Sequence, residues 1–523
     1  MAHVPANAEL TPPRPQNRMR VWSATVWSFL DRTGLFVPVL YFSFLLWRAP
    51  HLDPQDWDYD EGINLIKSLL MREGFTMYRD IWSDQPPLLT GMLAGWATLF
   101  GDSVAAARIL IMLFAALLVW MLYLAARPAT STVAAVVAVI MLILSEFFLR
   151  LSGAVMVGLP ALALAVTAAA ILARGERTWW RIALAAVVVA AALQVKLISA
   201  LVGPALAVHL LFGPAGATMP SFGRRLLQAV VFGAVTVAAF VLIALPFNAL
   251  QPGLLLGTHF GAPTYTQALF LEEKSTFLPN FFKQHAVYLL VALVGVVWAA
   301  RRRDRSILLP LTWFLTTLAA LTVHRPLWYH HSIMLTVPLA WVCAYGVQAW
   351  VAQFDKLVGD ENAVAVKVRA GLLVTTAVAL ALALLLLPRP LAARQYDQMR
   401  INRPNYIPHI FERFSEHAAV EPGWVFTDHP FYAYQAGLPV PPPIAAISRK
   451  RLETGIITQE SMVQTLEEYW PKYVILERFT HTYSDEFMQI LREKYDLVVE
   501  IEPAQYYRLN GAYTPGPLPD AAR

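Results

Sequence analysis

The chain has 523 residues, of which 57% are hydrophobic and only 15% charged, and its mean hydropathy is +0.49. Soluble domains run at roughly half apolar and a quarter charged, so this composition excludes an ordinary soluble protein and calls for a bilayer. The formal charge of +5 is small for the length, and the lone cysteine, Cys343, excludes a disulfide framework.

Residues 1 to 30 are polar, basic and rich in proline, with no short apolar core leading to a small-residue cleavage site. They read as a disordered cytoplasmic tail, not a signal peptide. From 31 to 388 apolar runs recur near 33–48, 105–126, 132–149, 159–173, 182–213, 227–247, 286–300, 306–323, 333–353 and 370–388. The run 182–213 is too long for one span and is broken by Lys196 and Pro204, which predicts two short helices. Pro86 to Phe100 is apolar but short, a juxtamembrane or partly inserted helix. The sum is an α-helical polytopic membrane protein of about 11 spans, or about 13 if other breaks hide helices.

Basic residues gather at Arg14 to Arg32, Arg174 to Arg181, Arg224 to Arg225 and Arg301 to Arg305. Placing all of them on the cytoplasmic side satisfies the positive-inside rule and puts the loop 49–87, the loop 248–285 and everything after 388 outside. Residues 389–523 differ in kind, with charges, prolines and short alternating runs. "WVFTDH", "YVILERF", "LVVEIE" and "QYYRL" read as strands; a helix begins near Thr458 and another is capped by Ser484. This predicts a small extracytoplasmic α/β domain. No Gly-rich phosphate loop follows its first strand, and "TDHP", with Asp428 and His429, reads as a strand-ending turn, not a metal site.

The first outer loop is strongly acidic. Between Arg48 and Lys67 there is no lysine or arginine, yet Asp53, Asp56, Asp58, Asp60 and Glu61 all lie there. Acids favour helix starts, and Ile63, Ile66 and Leu70 at helical spacing with Gly74 as a stop predict an amphipathic helix lying on the membrane. Capping accounts for one or two acids, not for five plus Asp84 in "WSDQPPL". A solvated helix start and a functional acidic site both stay open on residues alone.

Taken in order, Asp60-Glu61, Gly74, Pro86-Pro87, Gly101-Asp102-Ser103 and Arg108 resemble the first extracytoplasmic loop of the GT-C glycosyltransferases, in the group of protein O-mannosyltransferases and lipid A aminoarabinose transferases. The resemblance covers roughly residues 30 to 350, and the C-terminal domain is similar to those of bacterial members. It implies a plasma or inner membrane enzyme that moves a sugar from a polyprenyl phosphate carrier to a hydroxyl of a protein, lipid or glycan. Membrane lipids are then its surroundings, and nucleic acid is no partner.

The resemblance also assigns residues. Asp60 is the catalytic base, carried over from the first acid of the pair, while Glu61 orients the loop or pairs with Arg108. Lys196 sits where the group places a lysine, and an intramembrane lysine is costly enough to be a functional candidate in its own right. The turn "HRPLWYHHSI" supplies Arg325, His330 and His331 for the donor phosphate, with His324 and Tyr329 beside them. Asp84 and His259 are candidates for a divalent metal ion shared with Asp60. Glu272 and Glu273 read as a solvated cluster. One departure stands out: many relatives carry an acid just before the proline that opens the fourth span, whereas Gly158 and Leu159 precede Pro160 here. A secondary transporter and a polysaccharide polymerase or flippase-type protein are the rival readings, but the acids lie outside the spans and the halves show no matched broken helices.

Overall fold

The computed structural model describes residues 33–145, 147–214, 219–251, 267–324, 327–358 and 406–519. The tail 1–30, the run 370–388, the boundary near 389 and the candidates His259 and Arg325 lie outside the described residues, as do the side chains of Glu272 and Glu273.

The helical body runs through α1 (Phe36–Arg48), α2 (Tyr59–Arg72), α3 (Leu88–Phe100), α4 (Val104–Ala126), α5 (Thr132–Ile143), α6 (Gly158–Ala173), α7 (Trp179–Val195), α8 (Gly203–Phe212), α9 (Phe222–Ala244), α10 (Gln267–Gln284), α11 (Ala286–Arg302), α12 (Leu308–Val323) and α13 (Ser332–Val358). Among the described residues, 4 helical stretches are long and apolar enough to cross a membrane. A fifth is counted if Thr276–Gln284 and Ala286–Arg302, bent by 70°, form one span; α1, α3, α5, α6 and α7 are shorter apolar helices. The fold is that of a multi-pass membrane protein.

Burial separates centre from periphery. The apolar window of Tyr329–Phe354 is 89% buried and that of Val104–Ala129 72%, against 11% for Phe222–Phe247. The first two therefore form the bundle interior, and α9 faces outward, where lipid replaces protein as the apolar partner. Within the bundle α11 meets α13 backbone to backbone, since a Cβ on Gly346 would stand 2.1 Å from the Val291 carbonyl oxygen. Any side chain there would push the helices apart.

The break expected in 182–213 is present. Helix α7 ends at Val195, Lys196 is extended (φ −155°, ψ 122°), and a 3-10 turn Leu197–Val202 leads into α8, with Pro204 in its first turn.

The C-terminal domain contains α14 (Tyr406–Val420), β1 (Val425–Thr427), α15 (Phe431–Gln435), α16 (Gln459–Tyr469), β2 (Tyr473–Leu476), α17 (Asp485–Lys494), β3 (Tyr495–Ile501) and β4 (Ala504–Leu509). The sheet order is β1-β2-β4-β3, with β1 parallel to β2 and the other pairs antiparallel. Its helix starts are where the capping residues stand: Thr458 accepts from Ser461 N at 3.1 Å and Ser484 from Phe487 N at 3.2 Å. Strands β1 and β2 are wholly buried, whereas β3 is mostly exposed.

One expectation fails in an informative way. Helix α2 is amphipathic, but it does not lie on a membrane surface with its polar face in water: every residue from Glu61 to Leu70 is buried. Its second face is covered by α15, so closely that a Cβ on Gly62 would stand 2.6 Å from Phe431 N. Periodicity reveals an apolar face; it cannot say whether solvent or a distant segment covers the other.

Candidate functional site

The site is assembled at the start of α2. Asp58 is the N-cap, extended (φ −158°, ψ 144°), and its carboxylate accepts from Asp60 N at 3.0 Å. The same carboxylate takes the hydroxyl of Tyr329 and pairs with Arg150 at 3.7 Å. Arg150 also donates to the Trp57 carbonyl and lies 4.4 Å from the Tyr329 ring centre. Asp58 is thus a helix-start charge that also ties the loop to the turn before α13.

Glu61 points the other way. Its carboxylate forms a two-pronged pair with Arg108, at 2.8 Å to Nε and 2.8 Å to a terminal nitrogen, and both side chains are fully buried. It further accepts from Trp57 N at 2.9 Å and Val155 N at 3.1 Å. Arg108 extends the knot to the carbonyls of Asp53 and Gln55. With so many donors satisfied, Glu61 is held as a structural anion, and the loop 53–61 is fixed against α4.

Asp60, one residue earlier, faces an opening. Its side chain is exposed, while surrounding protein still strips away enough solvent to matter. Burial first, then the neighbouring Asp58, raises its pKa to about 6; Lys196 and Arg478 pull it down. Its carboxylate accepts no hydrogen bond among the described residues.

Lys196 occupies the break between α7 and α8, within electrostatic reach of Asp58, Asp60 and Asp84. With Gly158, Ser199 and His330 it lines a small cavity. Its ammonium makes no hydrogen bond among the described residues, and neither does the His330 ring. His331, by contrast, is 4% exposed and its Nδ1 accepts from Trp328 N at 3.0 Å, closing the turn. The structure therefore sets Lys196 and His330 on one cavity, with Asp60 within electrostatic reach of Lys196, and uses His331 to close the turn.

Asp84 lies deeper, within electrostatic reach of Asp60, Lys67 and Arg451. Lys67 is 3% exposed, donates to Ser83 Oγ at 3.2 Å, and is pushed down to about 8 by burial. Arg451, from the C-terminal domain, stacks 4.4 Å from the Trp82 ring centre. Among the described residues no group of three His, Cys, Asp or Glu side chains could hold a metal ion, and Asp84 is surrounded by cations. The described part of the expected metal pair is thus a poor cradle for a divalent ion, and no chemical step below is routed through one.

The C-terminal domain supplies residues that sequence reasoning missed. His429 sits between two carboxylates, Nδ1 at 2.8 Å from Glu477 and Nε2 at 3.0 Å from Asp56. Burial opposes its charge, but Asp56 and Glu477 outweigh that and hold the imidazole well above its usual pKa. Asp56 is accordingly a bridge to the second domain. Asp428 accepts the backbone N–H groups of Glu477, Arg478 and Phe479 at 2.9, 3.1 and 2.8 Å, fixing the end of β2. Tyr59 donates to the carbonyls of Asp428 and Ile447, and the Arg478 guanidinium lies 3.7 Å from its ring centre. The signal was the "TDHP" turn, whose residue types were noted but whose partner lay far off in the chain.

This architecture is shared with solved structures. The chain is similar to ArnT from Cupriavidus metallidurans crystallised with undecaprenyl phosphate, at 15% identity and a TM-score of 0.60, over 92% of this chain and 98% of that one. The apo form of the same protein matches at 16% identity and 0.60, over 93% and 98%. The oligosaccharyltransferase of Archaeoglobus fulgidus follows at 14% identity and 0.48, over 88% and 70%. Residues 84–244 match the family model described as dolichyl-phosphate-mannose-protein mannosyltransferase. No curated protein matches the chain. The family match is confined to that stretch, and the likeness to the solved structures is one of fold.

Proposed function

We propose that the protein is a membrane glycosyltransferase that moves a sugar from a polyprenyl-phosphate-linked donor to an acceptor hydroxyl on the extracytoplasmic face, with inversion and with Asp60 as general base. The observation that carries this reading is Asp60 itself, an exposed carboxylate without a hydrogen-bond partner among the described residues, within electrostatic reach of Lys196, which with His330 lines a cavity. Likeness in fold to a protein bound to undecaprenyl phosphate supports a lipid phosphate as the carrier. The basic clusters support a cytoplasmic N-terminus and an outer C-terminal domain.

The chemistry follows from the groups present. The acceptor oxygen attacks the anomeric carbon as the bond from that carbon to the carrier phosphate breaks, and the bonding pair leaves with the phosphate. The acceptor proton passes to Asp60. A carboxylate with a pKa of about 6 is mostly ionised at neutral pH yet more basic than a free one, the compromise a general base requires. Such catalysis contributes about 10²- to 10⁴-fold. Charge growing on the leaving phosphate is met by Lys196, by a donor N–H of His330 and by Arg325. One displacement needs no enzyme nucleophile, so the configuration inverts.

Purified protein, supplied with radiolabelled polyprenyl phosphate sugars and its own membrane extract as acceptor source, tests this. Sugar transfer with inverted configuration is expected. Retention of configuration contradicts the single displacement, and no sugar release from any donor contradicts the enzyme.

A further inference from the structure

The C-terminal domain brings a charge to the start of α2. Arg478 follows β2, and its guanidinium lies 3.7 Å from the Tyr59 ring centre and 5.0 Å from that of Phe479. Tyr59 directly precedes Asp60. Arg478 and Asp60 are both exposed, and the guanidinium is within electrostatic reach of the carboxylate.

A closed set of contacts fixes where Arg478 stands. Its backbone N–H donates to the Asp428 carboxylate at 3.1 Å, as do those of Glu477 and Phe479 on either side. Glu477 holds His429, and His429 holds Asp56. The Tyr59 hydroxyl donates to the carbonyls of Asp428 and Ile447. The loop is thus fastened to the C-terminal domain at Asp56 and again at Tyr59, so the Arg478 side chain starts from a fixed point. Arg478 makes no ion pair among the described residues, and a guanidinium stacked on aromatic rings keeps its charge.

The charges around Asp60 divide into two camps. Asp58 and Asp84 oppose its ionisation, and Lys196 and Arg478 favour it. Lys67, Tyr59 and Tyr329 also lie within its electrostatic reach, each of them hydrogen-bonded elsewhere. In the proposed reaction Lys196 meets the donor phosphate, whose negative charge adds to those of Asp58 and Asp84. Arg478 is then the exposed cation that remains beside the base.

We infer that Arg478 is a positioning residue of the site: clamped over Tyr59 at the end of β2, it is the charge by which the C-terminal domain holds the Asp60 carboxylate ionised. Its place in catalysis rests on the proposed function. The domain is then part of the active site and not only a cover over the loop.

The test uses purified full-length protein and a water-soluble carbodiimide, which reacts with a carboxyl in its protonated form. The adduct on Asp60 is located by fragment mass spectrometry across a range of pH, and the acidic limb of kcat/KM is followed on the same proteins. Arg478→Gln is expected to move the labelling midpoint of Asp60 up by about half a pH unit, and the kcat/KM limb with it. Arg478→Lys, which keeps the charge, should restore both. Arg478→Met, which keeps an apolar contact with Tyr59, takes the place of Arg478→Gln if that protein does not fold. An unmoved midpoint in the folded neutral variant overturns the inference, and so does Arg478→Lys moving it as far as Arg478→Gln. Labelling needs no donor, so it decides the inference even where no transfer is found. A midpoint that moves while the kcat/KM limb stays put upholds the hold of Arg478 on Asp60 and contradicts Asp60 as the base.

Discussion

At the scale of single residues, the loop 53–61 divides its acids among distinct tasks. Asp58 caps, Glu61 anchors, Asp56 bridges, and Asp60 is left open to chemistry. Capping at the helix start was legible because it is local, and the pairing of Glu61 with Arg108 was one of two roles that the resemblance implied. The role of Asp56 was not, because its partner His429 is 373 positions away. If Asp60 acts as base, it must be ionised to work, so kcat/KM should fall tenfold per pH unit as pH drops below about 6. A profile flat through that value moves the base elsewhere. Lys196→Ala and Arg325→Ala should each weaken donor binding by about tenfold while leaving expression intact, read by competition with the bare carrier phosphate. Unchanged affinity would return both to a structural role.

At the scale of elements, α2 is the piece on which everything else converges. The hydrophobic pattern gave its length and one face correctly. It missed the second face because the covering element, α15, is a short turn of helix with no periodicity of its own. The knot beneath it makes a sharp prediction. Glu61→Gln leaves Arg108 buried without its counter-charge, a change that costs about 3 to 5 kcal/mol, visible as a lowered Tm in detergent. A Tm within a degree or two of wild type would contradict the pairing.

The His429 bridge makes a prediction with a sign. A free imidazole titrates near 6.5, and the docked one is held well above that. Its contribution to docking is thus complete below the free value and is lost as pH rises through the docked value. Limited proteolysis should release the C-terminal domain faster under alkaline conditions, and His429→Ala should remove the pH dependence. Docking that weakens instead on acidification would refute the charged bridge.

At the scale of the whole molecule, class and architecture were the most legible features, since hydropathy over many residues averages out local error. The broken segment at Lys196 and the strand-helix order of the last domain were equally visible, each marked by proline, charge or capping residues. What sequence could not give is which outer segments meet, because neither charge nor periodicity encodes a partner hundreds of positions off. The structure shows the loop after α1, the break before α8, the turn before α13 and the last domain meeting around Asp60. The proposed orientation puts all of them on the outer face of the membrane. A cysteine at Gly511, an exposed position, should therefore label from outside intact cells, and one at Arg302, also exposed, only after permeabilisation. The opposite pattern would invert the orientation.

The central claim is most directly tested by Asp60→Asn in purified full-length protein, with donor binding and sugar transfer measured on the same sample. The substitution keeps shape and removes the ability to take a proton at neutral pH. The account predicts donor affinity within about twofold of wild type and transfer lowered by about 10²-fold or more. Transfer at the wild-type rate with a folded Asp60→Asn protein would contradict it.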